Sequence, residues 1–187
     1  IGVAASWIDS IAVMMLSGQV KRADMIGERG VRQMGPQEVD IISLVKPITK
    51  YAVTVMNPND IRYHLEKGFY FAKTGRQGPV WIDVPLDVQG ATIETSRLRS
   101  FHPPVTTAVI PTTKIDKIVS LLDGAQRPVM LAGNGVRLSG GLELFRKCVD
   151  WLGIPVLTTW KACDFFAEDH PLFFGRPGSV GQRAANF

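Results

Sequence analysis

The stretch Arg76-Gln77-Gly78-Pro79-Val80-Trp81-Ile82-Asp83-Val84-Pro85-Leu86-Asp87 constrains the chain more than any other. Gly78 and Pro79 punctuate a turn, the β-formers Val80, Trp81, Ile82 and Val84 follow with almost no charge, and Pro85 is expected to stop the pairing. A short apolar run of this kind suits a parallel strand buried on both faces. An amphipathic helix precedes it and a proline-dotted stretch follows, so it reads as the last strand of one α/β domain.

With 187 residues, 45% of them hydrophobic and 20% charged, the chain is globular and long enough for one large or two small cores. The net charge of +4 is the excess of 21 basic over 17 acidic residues, and the basic ones are dispersed rather than stacked into a stripe, which reads as solvated surface and not as a nucleic-acid face. Two cysteines, Cys148 and Cys163, are too few and too far apart for a disulfide framework or a metal set, which favours a reducing, cytoplasmic setting. The opening run from Ile1 to Val20 is broken by Ser6, Asp9 and Ser10 and has no basic segment before it, so neither a targeting peptide nor a membrane span is expected. Ile1 stands where no initiator methionine does, and Gln182 to Phe187 reads as a helix just starting; the expectation is a fragment of a longer chain.

In order along the chain, Val3, Ala4, Trp7, Ile8 and Ile11 give a helical spacing with one buried stripe, and Val13 to Leu16 reads as a strand ended by Ser17-Gly18-Gln19. Ligands of doubly wound sheets sit beyond the carboxyl ends of strands, so the Gly18-Gln19 corner is a place to look for a site, with an ordinary turn as the plainer reading. Lys21 to Pro36, carrying Arg22, Glu28, Arg29 and Arg32, is a long polar loop of the functional or mobile kind. Gln37 and Glu38 are expected to open a helix through Leu44, with Val39, Ile42 and Val45 inward and with Glu38 and Asp40 in the first turn, where the helix dipole favours them. Tyr51 to Val55 reads as a strand. Asn57 then caps a helix with Pro58 at its first position, running to about Thr74 with Ile61, Leu65, Phe69 and Ala72 inward, and Gly75 closes it. His64 has Gly68 four residues on instead of a metal partner and reads as a surface residue.

Val88 to Pro111 loses all periodicity and reads as an interdomain linker. Thr113 is expected to cap a helix with Ile115, Ile118, Val119 and Leu122 on one side. The strand Pro128 to Ala132, the turn Gly133-Asn134-Gly135, a helix through Leu152 and the strand Pro155 to Thr158 then make a right-handed βαβ unit. Its glycine turn could approach a phosphate or a ring, yet Val136-Arg137-Leu138 follows where the dinucleotide fingerprint needs a third glycine. Thr158, Thr159 and Trp160 end the next strand on the same rim. Cys163 has no identifiable base beside it and is read as bland.

These runs carry a family resemblance. Ile8 to Ile11, Ser17-Gly18-Gln19-Val20, Gln37-Glu38, Pro47 to Lys50 and Gly75 to Pro85 resemble the thiamine-diphosphate enzymes of the acetolactate synthase group. Arg127-Pro128-Val129, Gly133-Asn134-Gly135, Gly153 to Val156 and Gly175-Arg176-Pro177-Gly178 look like their central domain. The fold so implied is α/β, with two incomplete parallel-sheet, Rossmann-like, doubly wound domains: the C-terminal part of a pyrimidine-binding domain over 1–87, a proline-containing linker over 88–111 and the N-terminal part of a central domain over 112–187.

The resemblance also implies decarboxylation of a 2-oxo acid such as pyruvate and transfer of the two-carbon unit to a carbonyl acceptor, in a homodimer or homotetramer whose subunits share the cofactor. The activating glutamate and the Mg2+ and diphosphate ligands would lie outside this chain, which holds no metal site of its own. By resemblance, Gln37 reaches the reacting centre, Leu86 borders the second-substrate pocket and Gln19 lies among the cofactor-binding residues. FAD would lie along Gly133, Asn134 and Gly135, then Thr158, Thr159 and Trp160, then Gly175, Arg176, Pro177 and Gly178. Three departures stand out: Arg176-Pro177 replaces a methionine-histidine pair, Trp160-Lys161 replaces smaller or thioether residues, and Leu86 stands where the synthases place a lysine. An aliphatic side chain offers no cation to an incoming carboxylate. Two alternatives are a simple 2-oxo acid decarboxylase of the same family and a non-catalytic FAD- or nucleotide-binding module.

Overall fold

The computed structural model describes residues 1–105 and 110–187. It consists of two compact units, Ile1–Thr106 and Thr107–Phe187. Residues 106–109 of the expected linker lie outside the described residues.

The first unit is built on three parallel strands, β1 (Met14–Gln19), β2 (Tyr51–Thr54) and β3 (Val80–Pro85), in the order β1-β3-β2. The apolar run of β3 is therefore central and hydrogen-bonded on both sides, which is why Val80 and Ile82 are fully buried. Its core joins Val55, Ile82 and Val88, with Met14, Val53, Ile61, Leu65 and Val84 packed around them. The helices are α1 (Gly2–Ile8), α2 (Ile41–Val45), α3 (Ile61–Lys73) and α4 (Leu86–Gln89).

Several sequence expectations shift here for identifiable reasons. Ser17, Gly18 and Gln19 do not end β1 but belong to it, because β3 supplies pairing partners as far as Pro85. Glu38 precedes α2 instead of opening it: Gln37 takes a left-handed φ of 64°, and Asp40 becomes the N-cap by accepting from Ser43 N at 3.1 Å. Val39 accordingly points away from the core and is exposed. On α3 the buried line runs through Gly68 and Ala72, while Phe69 is exposed; a Cβ on Gly68 would stand 3.2 Å from Ile82 Cδ1 and Met14 Cε, so glycine brings the helix close to the sheet. His64 is half-buried, its Nδ1 2.6 Å from Tyr51 Oη, and burial holds its pKa below the usual histidine value. On α1 only Ser6 is buried, and Trp7 and Ile8 are exposed. The expected linker begins packed and not free: Phe101 N donates to Glu66 at 2.7 Å, and its ring meets Tyr63 and Tyr70 edge-on or tilted.

The second unit holds α5 (Thr112–Asp123), β4 (Met130–Ala132), α6 (Gly135–Leu138), α7 (Leu142–Leu152), β5 (Val156–Thr158) and α8 (Arg183–Asn186). Strands β4 and β5 pair in parallel, as a βαβ connection requires. Val149 of α7 joins Ala132, Val156, Ala162, Phe165, Phe166 and Phe173 in the core. Gly153 ends α7 with φ 62°, a left-handed cap that a side chain would strain. Thr113 is not the cap of α5; Pro111 occupies that position, and Ile115, Ile118 and Val119 are about half exposed. Among the described residues, no helix is long and apolar enough to cross a membrane.

Candidate functional site

In the first unit, the carboxyl ends of the strands carry a polar row. Parallel register puts Ser17 of β1 and Thr54 of β2 on either side of Asp83 of β3. Asp83 is 1% exposed, yet both its oxygens are engaged: Ser17 Oγ donates to Oδ1 at 2.5 Å and Gln19 Nε2 to Oδ2 at 3.2 Å, with Thr54 Oγ1 3.5 Å from Oδ2. Trp81 Nε1 completes the row by donating to Ser17 Oγ at 2.8 Å. Such saturation is what a buried carboxylate requires.

Gln19 is the link from this row to the loop above it. Its Nε2 also donates to the Val39 carbonyl at 2.7 Å, and its Oε1 accepts from Val20 N at 3.0 Å. The same loop is held from its other side by Glu38, whose carboxylate accepts from the amides of Ile26, Met34 and Gly35, the last two at 2.9 and 3.2 Å. Burial pushes the Glu38 carboxyl up, but those amides and the nearby Arg29 charge outweigh it and leave the pKa below the ordinary glutamate value. Between these two anchors Gln37 is exposed and makes no side-chain hydrogen bond among the described residues.

Leu86 opens α4 directly beyond β3 and is 55% exposed at the same rim. Its backbone is fixed by three neighbours: Val88 is buried in the core, Gln89 Nε2 donates to Val84 O at 2.7 Å, and Asp87 pairs with Arg22 at 2.7 Å. Gly18 permits this, because a Cβ there would meet Gln89 Nε2 at 3.0 Å. The sequence alone does not indicate the pairing of Arg22 with Asp87, the bonding of Glu38 to the loop amides or the bonding of Asp83 to Ser17 and Gln19; Asp83, a polar residue inside an apolar strand, is the signal that could have revealed the last of these.

In the second unit, the three stretches expected along FAD meet around Thr158. Gly175 O accepts from Thr158 N at 3.1 Å and Ala132 O from Thr159 N at 2.9 Å, so the turn after β4, the end of β5 and the 175–178 turn share one rim. Thr158 is fully buried and its Oγ1 has no hydrogen-bond partner among the described residues. Nothing stands within 4 Å of where a Gly135 Cβ would be, while a Gly133 Cβ would only touch Thr159 at 3.7 Å. The 175–178 turn is closed on itself: Gln182 Oε1 accepts from Arg176 N at 2.9 Å and Asn186 Oδ1 from Gly178 N at 2.9 Å. Gly175 and Gly178 take φ values of 98° and 137°, so glycine is required there by backbone conformation alone. Arg176 pairs with Glu168 at 2.9 Å, Pro177 is half-buried, Asn134 is the N-cap residue of α6, and Trp160 is exposed. Among the described residues, no group of three or more His, Cys, Asp or Glu side chains could hold a metal ion.

Residues 115–187 match the family described as thiamine pyrophosphate enzyme, central domain. Across 98% of its length the chain is 35% identical to the acetolactate synthase large subunit of Corynebacterium glutamicum, covering 29% of that protein. Across 91% of its length it is 34% identical to the glyoxylate carboligase of Escherichia coli O157:H7, covering 28% of it. The chain thus spans about a third of the length of the curated relatives it matches. In fold it is similar to a candidate thiamin diphosphate-dependent enzyme isolated from Mycobacterium smegmatis, with a TM-score of 0.74 at 21% identity over 94% of this chain and 33% of that one. The α/β fold agrees with that structure, residues 115–187 belong to the central-domain family of the thiamine pyrophosphate enzymes, and over nearly its whole length the chain is similar to acetolactate synthase large subunits and to a glyoxylate carboligase.

Proposed function

We propose that the full-length protein carrying this chain is a thiamine diphosphate-dependent enzyme that decarboxylates a 2-oxo acid, pyruvate first among them, and transfers the two-carbon unit to a carbonyl acceptor. The observation that carries this reading is the similarity to an acetolactate synthase large subunit over nearly the whole chain. On this reading 1–87 is the C-terminal part of the pyrimidine-binding domain, 88–111 the linker and 112–187 the N-terminal part of the central domain. The Mg2+ and diphosphate ligands, the activating glutamate and the second subunit of a homo-oligomer come from outside the chain, and the setting is the cytoplasm.

Thiamine diphosphate, when bound, supplies the electron sink for decarboxylation. The chain's own contribution is orientation. The Gln37 amide, exposed on a doubly anchored turn, can hydrogen-bond a polar oxygen of the substrate without adding charge to the site. Leu86 presents an exposed aliphatic surface at the same rim. It offers no cation, so an acceptor without a carboxylate, such as an aldehyde, fits the rim better than a second 2-oxo acid.

FAD fits the second unit in part. The orphaned Thr158 Oγ1 and the open space beside Gly135 suit a bound polar group, with Gly133, Asn134, Thr159 and Trp160 around it. The 175–178 turn would meet a flavin only through groups other than the Arg176 and Gly178 amides, which are taken. When bound, FAD acts as a largely structural group on this reading.

The test is to incubate the full-length protein with thiamine diphosphate, Mg2+ and pyruvate, with and without an aldehyde, following CO2 and the ligated product. Release of CO2 with a new carbon–carbon bond supports the proposal. CO2 with free acetaldehyde only would select the decarboxylase alternative, and no turnover of any 2-oxo acid, glyoxylate included, would leave the non-catalytic module.

A further inference from the structure

Asp83 is the one carboxylate buried in the middle of the first sheet, and its hydrogen bonds lead outward to the turn that carries Gln37. A buried carboxylate is costly unless fully paired, and hydrophobic replacement in a strand is usually tolerated, so its presence asks for a task that an apolar residue could not perform. The geometry supplies one. The two hydrogens of Gln19 Nε2 are spent on Val39 O and Asp83 Oδ2, and Oε1 on Val20 N. Rotating that amide by half a turn would set Oε1 against the Asp83 carboxylate and the Val39 carbonyl together, an acceptor facing two acceptors. Asp83 therefore fixes the orientation of Gln19, and Gln19 fixes the Val39 carbonyl two residues beyond Gln37. Ser17, braced by Trp81 Nε1, holds the other oxygen of Asp83 so that the carboxylate itself cannot turn.

We propose that Asp83 is a positioning residue for the reaction: through Gln19 it pins the turn at Val39 from the sheet side, as Glu38 pins it from the loop side, and so sets where the Gln37 amide stands. The inference rests on the proposed role of Gln37 at the reacting centre. Asp83 touches neither substrate nor cofactor on this account; its influence passes through one side-chain amide and one backbone carbonyl.

The test uses the full-length protein with thiamine diphosphate and Mg2+. Asp83→Asn keeps the shape but puts a donor or a single acceptor where two acceptors are needed. Amide exchange across 37–43 should rise while α3 stays protected, and turnover of the 2-oxo acid should fall by about tenfold at little change in KM. In a Gln37→Ala background, Asp83→Asn should then cost less than about twofold, because residues acting as a unit are non-additive. If Asp83→Asn does not fold, Gln19→Met breaks the same link while leaving Ser17 on Asp83, and it should reproduce the pattern. A damaging Gln37→Ala with a silent or fully additive Asp83→Asn overturns the inference and leaves the role of Gln37 standing. A silent Gln37→Ala removes that role, and the inference with it.

Discussion

Arg22 and Asp87 are joined by two hydrogen bonds, Arg22 N to Oδ1 at 3.0 Å and Nε to Oδ2 at 2.7 Å. Nη1 of the same arginine reaches the Met56 carbonyl at 2.8 Å, so one side chain ties together the loops that follow all three strands of the first unit. Leu86 precedes Asp87 and inherits its position from that clamp.

Replacing Arg22 with alanine should leave the cooperative melt nearly unchanged, because the pair is solvent-accessible and such pairs contribute little to global stability. Local order is another matter. Amide exchange at Asp87 to Gly90 should rise by roughly tenfold, read by mass spectrometry of peptic fragments, since only local opening is affected. Unchanged exchange there would mean that Val88 and Gln89 hold α4 by themselves.

Glu38 gives the turn a pH dependence with a definite sign. Its native pKa is lowered, with the amides of Ile26, Met34 and Gly35 outweighing burial, so its contribution is complete above the unfolded glutamate value of about 4.3 and is lost as pH falls through the lower native value. Glu38→Gln should therefore loosen residues 34–38 at pH 7 and flatten the loss of protection expected of the unmodified protein as pH falls below the unfolded glutamate value. Exchange of the Met34 and Gly35 amides against pH measures both effects.

The outline of this fold was legible because it follows from local chemistry. The run Val80 to Val84 could only be a buried strand, and Asn57-Pro58 and Gly75 marked a helix at both ends. What was not legible depends on register and on long-range pairing. Nothing local says that Ser17 to Gln19 continues β1, since that follows from where β3 lies, and nothing local says that Gln37 is left-handed, since that follows from Glu38 bonding back across the loop. The candidate site followed the same division. Gln19 and Thr158 were named for their strand ends and Leu86 through the family resemblance, whereas Asp83, which holds Gln19, and Arg22, which holds Asp87 beside Leu86, lie 64 and 65 residues from those partners, and Glu38 bonds back across as many as 12.

Thr158 offers a test of the second unit. Its buried, unpartnered hydroxyl costs stability in the ligand-free protein, so Thr158→Val, which keeps the shape, should stabilise that form by up to about 1 kcal/mol. The same change should weaken flavin retention by about tenfold if the hydroxyl is used by the bound cofactor, as measured by absorbance of the full-length protein after dialysis. Stabilisation with full flavin retention would place the cofactor elsewhere.

On the proposed function, Gln37 stands at the reacting centre of a thiamine diphosphate enzyme acting on a 2-oxo acid. The most direct measurement is the steady-state rate of pyruvate consumption by full-length Gln37→Ala at saturating thiamine diphosphate and Mg2+. The expected result is a fall in kcat of at least about tenfold with thiamine diphosphate still retained, as for a group that acts mainly in the transition state. A rate within about twofold of the unmodified protein would contradict it.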